Sequence, residues 1–215
     1  MKPKVSIITV VFNGENIIEK TMQSVFAQTY PNIEYIIVDG KSTDKTLQII
    51  EKYREKISVL ISEKDKGLYD AMNKGLAVAT GDYVWFMNGG DQINDAEVLT
   101  KIFSQNIDAD IFYSDTNLID EEGKYLSLLS EIGHNNAPDN LTYKSMQRGM
   151  VVCHQSFIAK RDIASPFNLK YKISADIDWV IKCLKKSKLT HKLDFCLSKF
   201  MVGGVSSKNR WRALR

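Results

Sequence analysis

Between residues 5 and 91 the chain alternates four short apolar runs with stretches of helical periodicity, and this alternation restricts the fold more than any other feature. Residues 5–12, VSIITVVF, are nearly continuous and β-branched, the pattern of a strand covered on both faces. Runs at 33–38 and 57–61 behave alike, and a fourth, from Tyr83, stops abruptly at Asn88, Gly89, Gly90 and Asp91. Between the runs, Ile18, Met22, Val25 and Phe26 recur at helical spacing until Tyr30-Pro31 ends the first helix. Leu47, Ile50 and Tyr53 share a face of a second helix, with Ser42 as its expected N-cap. Leu68, Met72, Leu76 and Ala79 share a face of a third, with Gly81 as its expected C-terminal cap. Strands and helices in this order make a parallel sheet with right-handed crossovers, which binds ligands at the carboxyl ends of its strands. Asn13, Asp39, Asp65 and Asp91, each just past such an end, are expected to share one polar rim.

Beyond Asp91 the pattern loosens. It predicts a short helix at 98–103, a strand at 110–114 and a hairpin within 117–129 turning at Asp120-Glu121-Glu122-Gly123. Residues 133–140 are rich in turn formers and read as a loop. A strand over 151–158 is interrupted by His154-Gln155, residues 173–179 open a helix that ends in lysines, and a last strand spans 192–202.

The length of 215 residues, with 44% hydrophobic and 26% charged, suits one folded unit with a core that needs no disulfides. A formal charge of +3 is too small to imply nucleic-acid binding. Cys153, Cys183 and Cys196 are odd in number and without paired spacing, which favours free thiols in a reducing compartment and disfavours a zinc site. The run at 5–12 is too short to span a bilayer and precedes no small-residue cleavage pattern, so neither signal peptide nor transmembrane helix is expected and the site of action is expected to be cytoplasmic. Trp211, among Lys208, Arg210, Arg212 and Arg215, suggests peripheral contact with the inner face of an anionic membrane, or a cover for substrate phosphates.

Residues 6–13, SIITVVFN, 36–46, IIVDGKSTDKT, and 81–91, GDYVWFMNGGD, resemble the three N-terminal blocks of the family 2 glycosyltransferases. Residues 65–75, DKGLYDAMNKG, resemble that family's third loop and helix, and Cys153-His154-Gln155 and residues 175–179, ADIDW, its acceptor-side blocks. The resemblance implies an inverting enzyme with a GT-A fold, an α/β architecture with a central, mostly parallel sheet flanked by helices. A nucleotide-sugar-binding half would span 1–114, an acceptor-binding half 115–202 and a basic tail 203–215. It further implies that Thr9, Phe12 and Asn13 line the nucleotide pocket and that Asp39 accepts a hydrogen bond from a uracil-type base, with Ser42, Lys66 and Asn88 as further donor contacts.

Asp91 stands at the last position of the family's acidic motif, whose role is to hold a divalent cation, manganese or magnesium, against the diphosphate. Three positions depart from the pattern: Asn88, Gly90 and Gly40 stand where acids are common, so the site carries less negative charge. Lys66, Lys208 and Arg210 are candidate substitutes for part of the cation's work. Inverting transfer needs a base for the acceptor hydroxyl, and Asp176 matches the family's position for it, with Asp178 second. Two residues apart on a helix, only one of the pair should face the donor.

Each assignment has a structural competitor. Asp39, Asn13 and Asp176 suit helix caps, Asp91 a turn, His154 and Gln155 either the core or an acceptor or phosphate contact, and Trp85, Tyr69 and Met72 the core. The expected function is transfer of a sugar from a nucleotide donor, UDP-linked, to a glycan or lipid-linked acceptor in surface polysaccharide biosynthesis. The rivals are a nucleotide-sugar-binding protein without turnover and a nucleotidyltransferase.

Overall fold

The computed structural model describes residues 2–132 and 137–203, apart from the side chain of Arg148. Most of the basic tail and the first half of the loop expected at 133–140 lie outside the described residues. In chain order the elements are β1 (Val5–Val11), α1 (Ile18–Phe26), β2 (Ile33–Asp39), α2 (Thr46–Glu51), β3 (Val59–Ser62), α3 (Leu68–Val78), β4 (Tyr83–Phe86) and β5 (Gln92–Ile93). There follow α4 (Val98–Ser104), β6 (Ile111–Tyr113), β7 (Thr116–Ile119), β8 (Tyr125–Leu128), α5 (Leu129–Ile132), β9 (Phe157–Lys160), α6 (Ala175–Lys186), β10 (Thr190–Lys192) and β11 (Ser198–Met201).

Seven strands form the main sheet in the order β10-β6-β9-β4-β1-β2-β3. All its pairings are parallel except those of β9, which runs antiparallel to both β4 and β6. A second sheet, β5-β11-β7-β8, stands beyond the carboxyl end of β4 and contains the expected hairpin.

Alternate residues of the central strands feed two apolar layers, which is why their sequences are nearly continuous in hydrophobicity. Ile8, Val10, Ile36 and Val38 pack against Met72 and Leu76 of α3 and Trp179 and Cys183 of α6. Ile7, Ile37 and Trp85 pack on the opposite face against Met22 and Val25 of α1 and Leu99 and Ile102 of α4. At the amino ends of β1 and β2 one buried carboxylate, Glu34, is satisfied by Ser6 Oγ at 2.6 Å, Thr80 N at 2.8 Å and Lys4 Nζ at 2.9 Å. Burial alone would raise its pKa, and these donors reverse that and hold it at about 2.

Several local expectations are corrected. Ser42 does not cap α2, which begins at Thr46, where Asp44 Oδ1 accepts the Thr46 N–H at 2.9 Å. The Ser42 hydroxyl is instead engaged by Asn13 N at 2.8 Å. Gly81 does not cap α3, which ends in the extended Ala79; a Cβ at Gly81 would stand 2.7 Å from Ser6 N, so the glycine serves close approach to β1. The strand expected over 151–158 is preceded by a 3-10 turn, His154–Ser156, and begins at Phe157. Of the strand expected over 192–202, only 198–201 form a strand of their own, β11 in the second sheet; Lys192 closes β10 of the main sheet and 193–197 are not strand. Among the described residues no helix is long and apolar enough to cross a membrane.

Candidate active site

Strands β1 and β4 are parallel neighbours, with Ile7 opposite Trp85, so the segments that follow them emerge at one edge. After β1 the backbone turns at Asn13, with φ of 49°. After β4 it closes a turn in which Asp91 N donates to Asn88 O at 3.0 Å. Between these turns and the start of α3 lies a cavity of about 340 Å³, whose walls include Phe12, Asp65, Leu68, Asn88, Asp91 and Gln155. Two larger and more open grooves, of about 500 and 980 Å³, lie beside α1 and β5 and at the amino-terminal edge of the main sheet, away from these residues.

Asp91 is 5% exposed and its Oδ1 accepts the Met201 N–H of β11 at 3.1 Å. Burial pushes its carboxyl up to about 7, against the opposing hydrogen bonds from Met201 and the Gln155 side chain. Gln155 is itself fixed, its carbonyl accepting Trp85 Nε1 at 2.8 Å and its Oε1 accepting the Cys153 thiol at 3.1 Å. Asn88 Oδ1 is buried without a hydrogen-bond partner.

Of the two glycines that replace acids in the resemblance, Gly90 has φ of +102°, which strains any other residue. A Cβ would lie 2.6 Å from Met201 Cε at Gly90 and 2.5 Å from Asp65 Oδ2 at Gly40, both ends of flexible side chains that can shift.

The expected donor contacts separate into groups. Phe12, 62% exposed, lines the cavity with Asn88 and Asp91. Asn13, Asp39 and Ser42 form a braced turn beside it: Asn13 Oδ1 accepts Thr43 N at 2.9 Å, and the buried Asp39 carboxylate accepts Ser42 N at 3.2 Å and Ser62 Oγ at 2.7 Å. Thr9 does not face the cavity; it is fully buried, with its hydroxyl donating to Met87 O at 2.7 Å. Strand alternation places Thr9 with Ile7 and Val11 in the α1-side layer, and only the last residues of β1, Val10 and Val11, reach the cavity wall. Lys66 is exposed, off the cavity wall, with its backbone N–H on Asp70 Oδ2 at 2.9 Å.

On the acceptor side, Asp176 lies in the first turn of α6 and its Oδ1 accepts the Tyr69 hydroxyl at 3.1 Å. The same hydroxyl lies 2.7 Å from Ile173 O. Tyr69 is thus a core residue, as expected, that also holds a polar group. Asp178 faces elsewhere and pairs with Lys182 at 2.6 Å. His154 is buried and stacked on Phe86, with ring centroids 5.2 Å apart. Burial lowers its pKa to about 4 against the opposing charge of Asp176, so the imidazole is neutral near pH 7 and offers no cation to a phosphate. Met201 and Gln155 complete the surroundings of Asp91; the polar pair His154-Gln155 was visible in sequence, whereas nothing local marks Met201, 110 residues from its partner.

The polar groups of the cavity wall include hard oxygen donors: the carboxylates of Asp65 and Asp91, and the Asn88 residue, whose carboxamide oxygen has no partner among the described residues. They fit a magnesium or manganese ion that takes its remaining ligands from phosphate and water. Among the described residues no three His, Cys, Asp or Glu side chains converge into a self-sufficient metal site.

Residues 6–164 match the family model described as Glycosyl transferase family 2. A PGL/p-HBAD biosynthesis glycosyltransferase of Mycobacterium bovis is 27% identical over 99% of this chain and 79% of its own length. The putative teichuronic acid biosynthesis glycosyltransferase TuaG of Bacillus subtilis is 28% identical over 100% of this chain and 85% of its own. The crystal structure of S. aureus TarS 1-349 in complex with UDP-GlcNAc superposes with a TM-score of 0.75 at 22% identity, covering 94% of this chain. The chain spans only 59% of that TarS chain. Family model and shared architecture agree: the chain belongs to glycosyl transferase family 2 and has the GT-A fold.

Proposed function

We propose that the protein transfers a sugar, with inversion, from a UDP-linked donor to a glycan or lipid-linked acceptor in surface polysaccharide biosynthesis, at the inner face of the membrane. One observation carries this reading: Asn88 and Asp91 bring oxygen ligands to one cavity, while Tyr69, next to the cavity residue Leu68, holds a carboxylate at the start of α6. The exposed Phe12 ring offers a flat apolar face for a base, and the turn braced by Asn13, Asp39 and Ser42 holds that face in place. A divalent cation on Asp91 and Asn88 would neutralise charge on the departing diphosphate. Asp176 takes the proton of the acceptor hydroxyl, and the Tyr69 hydroxyl, 3.1 Å from its Oδ1, orients it. Asp178, committed to Lys182, is not the base. Support for the UDP donor and the polysaccharide acceptor comes from the similarity to a putative teichuronic acid biosynthesis glycosyltransferase and to TarS in complex with UDP-GlcNAc.

The test is transfer or hydrolysis of UDP-sugars with manganese or magnesium, the product anomer read by NMR, in wild type, Asp91→Ala and Asp176→Ala. We expect an inverted anomer and loss of turnover in both variants. Donor binding without turnover in the wild type, unchanged by Asp176→Ala, would establish the rival reading of a binding protein, which the sparse acids around Asp91 favour.

A further inference from the structure

The segment between Phe167 and α6 exposes three large apolar side chains in alternation with lysines: Leu169 at 48%, Lys170, Tyr171 at 49%, Lys172 and Ile173 at 53%. The exposure does not come from a loose loop, because both of its ends are tied to α3. Phe167, 3% exposed and stacked on Tyr69, donates its N–H to Asn73 Oδ1 at 2.7 Å and accepts Asn73 Nδ2 at 3.0 Å. At the other end the Tyr69 hydroxyl lies 2.7 Å from Ile173 O. A turn from Tyr171 N to Asn168 O, at 3.1 Å, sets the tip between these anchors. Neither Lys170 nor Lys172 pairs with a carboxylate among the described residues.

We propose that residues 168–173 dock the protein onto an anionic lipid surface, with Leu169, Tyr171 and Ile173 entering the headgroup region and Lys170 and Lys172 facing the lipid charges. Charge decides the occupant. A second exposed apolar cluster, Tyr125, Leu126 and Ile132 on β8 and α5, has one neighbouring cation, Lys124, against three acids, Glu121, Glu122 and Glu131, and an anionic surface repels that balance. In the 168–173 segment the apolar groups and the cations coincide, and the lysine stems add further apolar reach. The placement also suits chemistry, since the single Tyr69 hydroxyl has both Ile173 O, at 2.7 Å, and Asp176 Oδ1, at 3.1 Å, within reach of its one proton. A docked segment therefore lies one hydrogen-bonded residue from the proposed base, where a lipid-linked acceptor would present its hydroxyl. This inference rests on the proposed glycosyl transfer for its purpose but not for its test.

The test is flotation of the full chain with vesicles of phosphatidylcholine alone and of phosphatidylcholine with about one-third phosphatidylglycerol. The variants are Leu169→Ser with Tyr171→Ser, and Lys170→Glu with Lys172→Glu. Each lysine near such a surface is worth roughly a fivefold change in partition, so we expect salt-sensitive binding to the anionic vesicles, weakened more than tenfold by either pair. Thermal melting checks that the variants fold, and UDP-dependent thermal shift, measured without lipid, reports the donor site separately. Absence of wild-type binding overturns the proposal, as does binding undiminished in the variants, which would assign it to another part of the chain. Self-association abolished by the same variants, without vesicle binding, also overturns it and makes the segment an interface between copies. Vesicle binding lost in the variants while no UDP-sugar shifts the wild type would uphold docking and sink the UDP-donor reading.

Discussion

Asp91 and Glu34 are both nearly buried carboxylates, and they respond to pH in opposite senses. Glu34 is held at about 2, below its ordinary 4.5, so its contribution to stability is present above pH 4.5 and is lost as pH falls toward 2. Asp91 is raised from 3.8 to about 7, so the native state keeps a proton that the unfolded chain releases, and stability falls as pH rises between those values. We expect wild type to lose roughly 2–4 kcal/mol relative to Asp91→Asn between pH 4 and pH 8, measured by urea unfolding at a series of pH values without added metal. A pH-independent difference would show that the carboxylate is ionised throughout. At Asp176, substitution by Asn preserves the shape of the Tyr69 contact and removes the proposed base. The expected outcome is a fall in kcat of about 10²–10⁴-fold with UDP binding retained, read by kinetics and calorimetry. Loss of binding along with kcat would instead place Asp176 among the donor contacts.

At the scale of elements, the turn after β4 depends on a strand made much later in the chain. Gly90 combines a left-handed φ of +102° with a Met201 methyl 2.6 Å from the position of a Cβ. Gly90→Ala is expected to cost about 1–3 kcal/mol, of which backbone strain is one part and the clash another. If so, adding Met201→Ala to it costs less than the sum of the two single changes, and denaturant melts of all four proteins measure the coupling. Additivity would show that strain alone carries the penalty. The same turn shows what the sequence could reveal. The elements from β1 to β4 were legible because short, nearly continuous apolar runs alternate with stretches of helical periodicity, and the family blocks fall on the strands' carboxyl ends. The separation of β10 from β11 was not legible, because 192–202 reads as one strand-like stretch, whereas tertiary pairing ends β10 at Lys192 and starts β11 in the second sheet at Ser198. Ser42 misled as a cap for a similar reason: its hydroxyl was claimed by Asn13, a partner 29 residues away.

Across the whole molecule the two sheets differ in depth. In the main sheet β1 is buried along its full length, whereas in the second sheet β8 carries Tyr125 and Leu126 at 53% and 50% exposure. We expect amides of β1 and β2 to exchange with solvent only on global unfolding and those of β8 by local opening, with UDP and manganese together slowing the Met201 amide that donates to Asp91. Hydrogen exchange with and without ligand decides this; equal protection across both sheets would mean that they open as one unit. The site followed the same division of legibility. Phe12, Asn88, Asp91 and Asp176 stood in recognisable blocks, while Thr9 shared a block but its alternation on β1 turns it into the core, and Met201 belonged to no block at all. The long reach from Asp91 to Met201 also bears on how the protein comes into being. As the chain leaves the ribosome, β1 to β4 are complete while Asp91 still lacks the N–H donor and the methyl that close its turn. The polypeptide can hold most of its sheet during synthesis and still have an open site, which becomes whole only after residues 198–201 have been made.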